Sequence, residues 1–118
     1  MQPDIMIVGA QQSLITYGGL LKGYGYGITT ANSISETYVT LSKGIRPTTF
    51  VLDLKFPELL ELVPALRAIG GRNVKIIVIG AENAARALIL KQGANMFLHK
   101  PVQPEAILEA VQYRRKAS

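Results

Sequence analysis

The stretch FVLDLKFPE, residues 50–58, decides the fold. Its opening residues are apolar at consecutive positions, so a strand here is buried on both faces. That is the mark of a parallel sheet covered by helices, not of an antiparallel sheet with one wet face. The run ends on a carboxylate, Asp53. In an open α/β sheet the C-terminal ends of the strands are where ligands and chemistry gather.

Working outward, four further short apolar runs accompany Thr49 to Leu54: Ile5 to Val8, Gly27 to Thr30, Lys75 to Ile79 and Met96 to Leu98. Helical marks lie between them. Ser33-Ile34-Ser35-Glu36 is a capping box, Gly44 and Gly93 close helices, and Pro104-Glu105 opens one. The first helix has Leu14, Ile15, Leu20 and Leu21 as its buried face but carries Gly18 and Gly19, each costing about 1 kcal/mol relative to alanine. Pro64 suits the third helix only if it lies in the first turn. The alternation β-α-β-α-β-α-β-α-β with right-handed crossovers predicts an α/β, flavodoxin-like, doubly wound five-stranded parallel sheet. Its strand order is 2-1-3-4-5, with helices on both faces.

The chain's 118 residues fit a single domain, 1–118, with 48% hydrophobic and 18% charged residues. There is no cysteine, hence no disulfide and no thiolate site, which agrees with a cytoplasmic setting. No apolar run approaches the roughly 18 to 20 residues needed to cross a bilayer, so no membrane partner is expected. The net charge of +5 raises nucleic acid as a partner, but the basic residues are scattered and their one cluster, Arg114-Arg115-Lys116, is terminal. The tyrosines of YGGLLKGYGYG, residues 17–27, have only Lys22 among them, too little for a stacking groove, and read as a helix end and turn. Nucleic-acid binding by this domain is therefore not expected.

The predicted crevice is lined by the strand ends: Gly9 and Ala10, Asp53, Gly80 and Ala81, and Lys100 before Pro101. One carboxylate and one ammonium converge there. With these residues in view, FVLDLKFPE, KIIVIGAEN and KQGANMFLHKP resemble the receiver domain of two-component response regulators along essentially the whole chain. Asp53 to Pro57 is similar to the family's phosphoacceptor motif, and Lys100-Pro101 to its lysine followed by a cis-proline. The resemblance implies that Asp53 is the phosphoacceptor position, Lys100 the phosphate-binding position and Phe97 the switch aromatic, although Phe97 also reads as plain core. It also marks departures. Gly9 and Ala10 stand where the family has the acidic pair that holds Mg²⁺, and Gly80 stands where it has a hydroxyl residue.

Phosphoryl transfer to aspartate needs a cation, and Mg²⁺ binds through carboxylate oxygens, waters and phosphate. Three carboxylates with one lysine carry net charge −2, whereas Asp53 with Lys100 is neutral. A direct salt bridge is expected, worth about 3 to 5 kcal/mol to break from one side if buried. No metal or other cofactor is expected. His99 reads as a strand-end surface residue, with no second ligand near it.

These readings predict an atypical receiver domain acting as a regulatory interaction module, without Mg²⁺-dependent phosphorylation and without enzymatic activity. Its partners are signalling proteins, a histidine kinase or an output domain or effector. They are met through the fourth helix, fifth strand and fifth helix, with Arg86, Lys91 and Gln92 exposed beside Ala84 and Ala87. The same face also suits a homodimer. The alternative is a phosphorylatable receiver that accepts phosphate at Asp53 from a histidine kinase, with Mg²⁺ held by Gln11, Gln12 or Glu58. A nucleotide-binding enzyme on the same fold is disfavoured, because VGAQQS, residues 8–13, lacks both glycine-rich phosphate-loop patterns.

Overall fold

A computed structural model describes residues 4–113. Five strands, β1 (Ile5–Gly9), β2 (Ile28–Ala31), β3 (Thr49–Asp53), β4 (Lys75–Gly80) and β5 (Met96–His99), alternate with α1 (Gln11–Gly23), α2 (Ile34–Ser42), α3 (Phe56–Gly70), α4 (Arg86–Lys91) and α5 (Pro104–Gln112). The sheet is parallel throughout, in the order β2-β1-β3-β4-β5. The predicted architecture and order hold. The basic cluster Arg114-Arg115-Lys116 lies outside the described residues.

Side-chain alternation splits the core in two. Met6, Val8, Phe50, Leu52, Ile76, Val78 and Phe97 face α2, α3 and α4, while Ile5, Ile7, Val51, Ile77 and Ile79 face α1 and α5. The central strands are therefore buried on both sides, as their unbroken apolar runs require.

Local signals hold with adjustments. Ser33 Oγ accepts from the Glu36 amide at 3.1 Å, but Glu36 reaches back to the Asn32 amide, one residue beyond the Ser33 amide that the reciprocal capping-box bond would use. Gly44 and Gly93 adopt φ of +92° and +126°, the left-handed closure expected of them. The helix read over Ala84, Ala85, Leu88 and Ile89 is instead a 3-10 turn, Asn83–Ala85, followed by the short α4.

Pro64 corrects the expectation for the third helix. It sits inside α3, eight residues beyond Phe56, and the helix continues through it. An interior proline costs about 3 kcal/mol, but burying each large apolar side chain returns about 1.5–3 kcal/mol. Leu59, Leu62, Val63 and Leu66 are all buried, so the apolar face outweighs the lost bond. In α1, Leu21 is buried as predicted, whereas Ile15 is 60% exposed and does not belong to the buried face. Gly18 lies against the Ile7 and Ile28 side chains, and α1 runs through both glycines.

Arg67 ties α3 to the approach of β5. Its guanidinium donates to the carbonyls of Gly71, Val74 and Gly93 and to Asn95 Oδ1, and that oxygen also accepts from the Ile76 amide. One planar cation thus fixes the turn from which β5 departs.

Candidate functional site

The C-terminal ends of β1, β3 and β4 meet at one crevice. Parallel pairing puts Gly9 beside Asp53, the last residues of β1 and β3, and Gly80 ends β4. Beyond β5, the Lys100 amide donates to the Gly80 carbonyl at 2.9 Å, and the Lys100–Pro101 peptide is cis. The Lys100 side chain reaches back across the crevice. Its Nζ lies 2.7 Å from Asp53 Oδ1, the salt bridge expected from the sequence. The Asp53 side chain is 8% exposed and that of Lys100 is 45% exposed. With one partner half in water, the pair falls short of the fully buried case and contributes correspondingly less.

The other oxygen of Asp53 is also taken. Ser13 Oγ, in the first turn of α1, donates to Asp53 Oδ2 at 2.5 Å. Tyr17 stands one helical turn further along. Burial, and secondarily the Asp53 charge, push its phenol above the ordinary value of 10.0, with Lys100 acting in the opposite direction. Sequence reading missed both residues. The i, i+4 spacing of Ser13 and Tyr17 at the start of a helix that follows β1 is the signal that could have found them.

Gly9 and Gly80 are glycines for a steric reason. A Cβ on Gly9 would lie 2.8 Å from the Asp53 carbonyl oxygen and 3.1 Å from its Cβ. On Gly80 it would lie 2.6 Å from Phe97 Cζ. Phe97 is 8% exposed, packed in the core with Val78 and Ala85, and its ring also lines the crevice. Ala10 precedes α1 as its N-cap and supplies no side-chain cap. His99 is exposed at the end of β5, as read from the sequence.

Between the β3–α3 and β4–α4 connections the crevice opens into a cleft of about 470 Å³. Leu54, Phe56, Leu59, Ala85 and Phe97 form apolar walls, and Ser13, Asp53, Lys55, Glu82 and Lys100 supply the polar groups. Gln11, Gln12 and Glu58, the alternative metal ligands, are not among its lining residues, and the Gln12 amide is turned to Thr16 Oγ1. Among the described residues no group of three or more His, Asp or Glu side chains is placed to share a metal ion.

No family model matches the chain, and no curated protein matches it in sequence. Solved structures do. A CheY-like receiver domain from Methanospirillum hungatei JF-1 superposes with a TM-score of 0.82 at 22% identity, over 95% of this chain and 92% of that one. A response regulator from Thermotoga maritima gives 0.81 at 19% identity, over 95% and 96%. A response regulator from Burkholderia pseudomallei, solved with a phosphorylated aspartic acid, a calcium ion and citrate, gives 0.79 at 23% identity, over 94% and 67%. Strand order, helix placement and the convergence of Asp53 with Lys100 all lead to one conclusion: the chain carries the CheY-like fold of response-regulator receiver domains.

Proposed function

We infer that the chain is a cytoplasmic receiver module of two-component signalling that works through protein contacts, without Mg²⁺-dependent phosphorylation of Asp53. The observation that carries this reading is the state of the Asp53 carboxylate, with Lys100 Nζ on one oxygen and Ser13 Oγ on the other. The residues present do not fit a divalent cation. Mg²⁺ asks for several hard oxygen ligands in a near-octahedral shell. Gly9 has no room for a side chain against the Asp53 carbonyl, Ala10 brings no donor, and the carboxylate at the strand ends, Asp53, is already neutralised by Lys100.

The switch side of the site supports the same reading. A phosphoryl group on Asp53 would find no hydroxyl at Gly80 to draw inward, and the Phe97 ring already fills the space beside that glycine. Signalling then rests on the folded surface. Ala84, Arg86, Ala87 and Lys91 are exposed along the β4–α4 connection and α4, with Leu88 partly so and Gln92 half-buried. This face, continued by β5 and α5, is the docking surface for a kinase, an output domain or a second copy of the chain, and the module itself is not an enzyme.

The direct test is intact-mass measurement after incubation with Mg²⁺ and acetyl phosphate. The reading predicts an unchanged mass. A gain of one phosphoryl group that disappears in Asp53→Asn would overturn it in favour of a phosphorylatable receiver.

A further inference from the structure

We propose that the cleft beside Asp53 and Lys100 binds a small, largely apolar molecule carrying one anionic group, such as an aromatic carboxylate or sulfonate. The inference rests on the reading of this crevice as free of metal and names what occupies it instead. Its volume of about 470 Å³ lies within the roughly 300–1,000 Å³ of small-molecule sites, and its make-up, apolar walls with a few fixed polar groups, is theirs too.

The polar groups specify the charge. Each Asp53 oxygen already accepts one short hydrogen bond, and the side chain is only 8% exposed, so it offers little acceptor capacity to a ligand. Lys100 spends one of its three N–H donors on Asp53; the other two have no partner among the described residues, and the side chain is 45% exposed. Lys55 adds a second exposed ammonium to the lining. The unspent hydrogen-bonding capacity is therefore cationic and calls for an anion. Glu82, exposed on the same lining, opposes a second negative charge and favours a monoanion.

The walls specify the body. Leu54, Phe56 and Leu59 line the cleft from the β3–α3 side and Ala85 and Phe97 from the β4–α4 connection and β5, with the small side chain of Ala81 at the rim. A flat aromatic body fits between two such walls, with its anionic group at Lys100. A ligand seated there touches both connections at once.

The test is an amide NMR titration of the full chain with anilinonaphthalenesulfonate, an aromatic monoanion, after addition of Mg²⁺ alone. Its uncharged counterpart N-phenylnaphthylamine and the rim variant Ala81→Trp, whose indole would fill the cleft, serve as comparisons. The expected result is no response to Mg²⁺, shifts from the sulfonate centred on Gly80, Ala81, Phe97 and Lys100, and loss of those shifts in Ala81→Trp. Binding of the neutral probe should be weaker by about tenfold or more, the loss of a charge-assisted hydrogen bond. Equal binding of the neutral probe, undiminished binding to Ala81→Trp, or shifts absent or spread elsewhere would each overturn the ligand inference. If Mg²⁺ alone moves the Asp53 and Lys100 amides, the metal-free reading fails and takes the ligand inference with it.

Discussion

The ring of Phe97 stands where a side chain on Gly80 would begin: a Cβ there lies 2.6 Å from Cζ and 2.8 Å from Cε2. The two residues share one face of neighbouring strands, since Val78 pairs with Phe97 and Gly80 follows two residues on. Glycine at the end of β4 and an inward aromatic on β5 are thus two halves of one packing arrangement. Placing a hydroxyl residue at position 80 should disturb the core before it could assist any phosphoryl chemistry.

Gly80→Thr should accordingly lower unfolding stability by about 1–3 kcal/mol, the usual cost of overpacking. Phe97→Leu removes the obstructing ring, so the double variant should lose less than the sum of the two single losses. Urea denaturation of all three variants gives the cycle. Wild-type stability in Gly80→Thr would contradict the packing argument.

Gly9 and Ala10 should respond oppositely to an introduced carboxylate. At Gly9 the obstruction is the backbone carbonyl of Asp53, which cannot swing aside, so Gly9→Asp should destabilise by about 1–3 kcal/mol. Ala10 is exposed and is an N-cap lacking a side-chain acceptor, where Asp ordinarily contributes about 0.5–2 kcal/mol. Repulsion from Asp53 reduces that gain, leaving Ala10→Asp neutral to stabilising. Thermal melts of both variants compare them directly.

Ser13→Ala leaves Asp53 Oδ2, on a largely buried side chain, without its protein donor. A hydrogen bond to a charged group is worth about 1.5–3 kcal/mol, and a loss of that order is expected in chemical denaturation. No measurable loss would mean that water replaces the hydroxyl freely and that the carboxylate is less enclosed than its exposure indicates.

Tyr17 reports on the same pair from α1. Its phenol is raised above 10.0 chiefly by burial and next by the Asp53 charge. The folded state thus holds this proton more tightly than the unfolded chain. The associated stability is full below pH 10.0 and is lost as pH rises through the higher folded value. In a phenolate-absorbance titration, the signal missing from Tyr17→Phe should titrate above 10.0. Asp53→Asn should move it down and Lys100→Met should move it up. Insensitivity to both would remove Tyr17 from the electrostatic field of the site.

The sheet was legible because its signals are local and redundant. Runs such as Phe50 to Leu52 and Ile76 to Ile79 are buried on both faces, and the turn signals at Gly44 and Gly93 reflect backbone geometry. The Asp53–Lys100 pair followed from two strand ends converging on one edge. Ser13 did not, because its bond to Asp53 spans 40 residues and begins on a helix that two glycines made hard to trust. The fit of Phe97 to Gly80 was hidden for a related reason: it exists only once the register of β4 and β5 is fixed. Pro64 and Ile15 were misjudged where tertiary packing overrode the local pattern.

On the proposed reading, Asp53, bonded to Lys100 and Ser13, takes up neither cation nor phosphoryl group. Amide NMR spectra recorded with Mg²⁺ and then with Mg²⁺ and beryllofluoride, a mimic of aspartyl phosphate, test it most directly. No change is expected at saturating concentrations of either addition. Shifts clustered on Asp53, Gly80 and Lys100 would contradict it and assign this chain a working phosphoacceptor site.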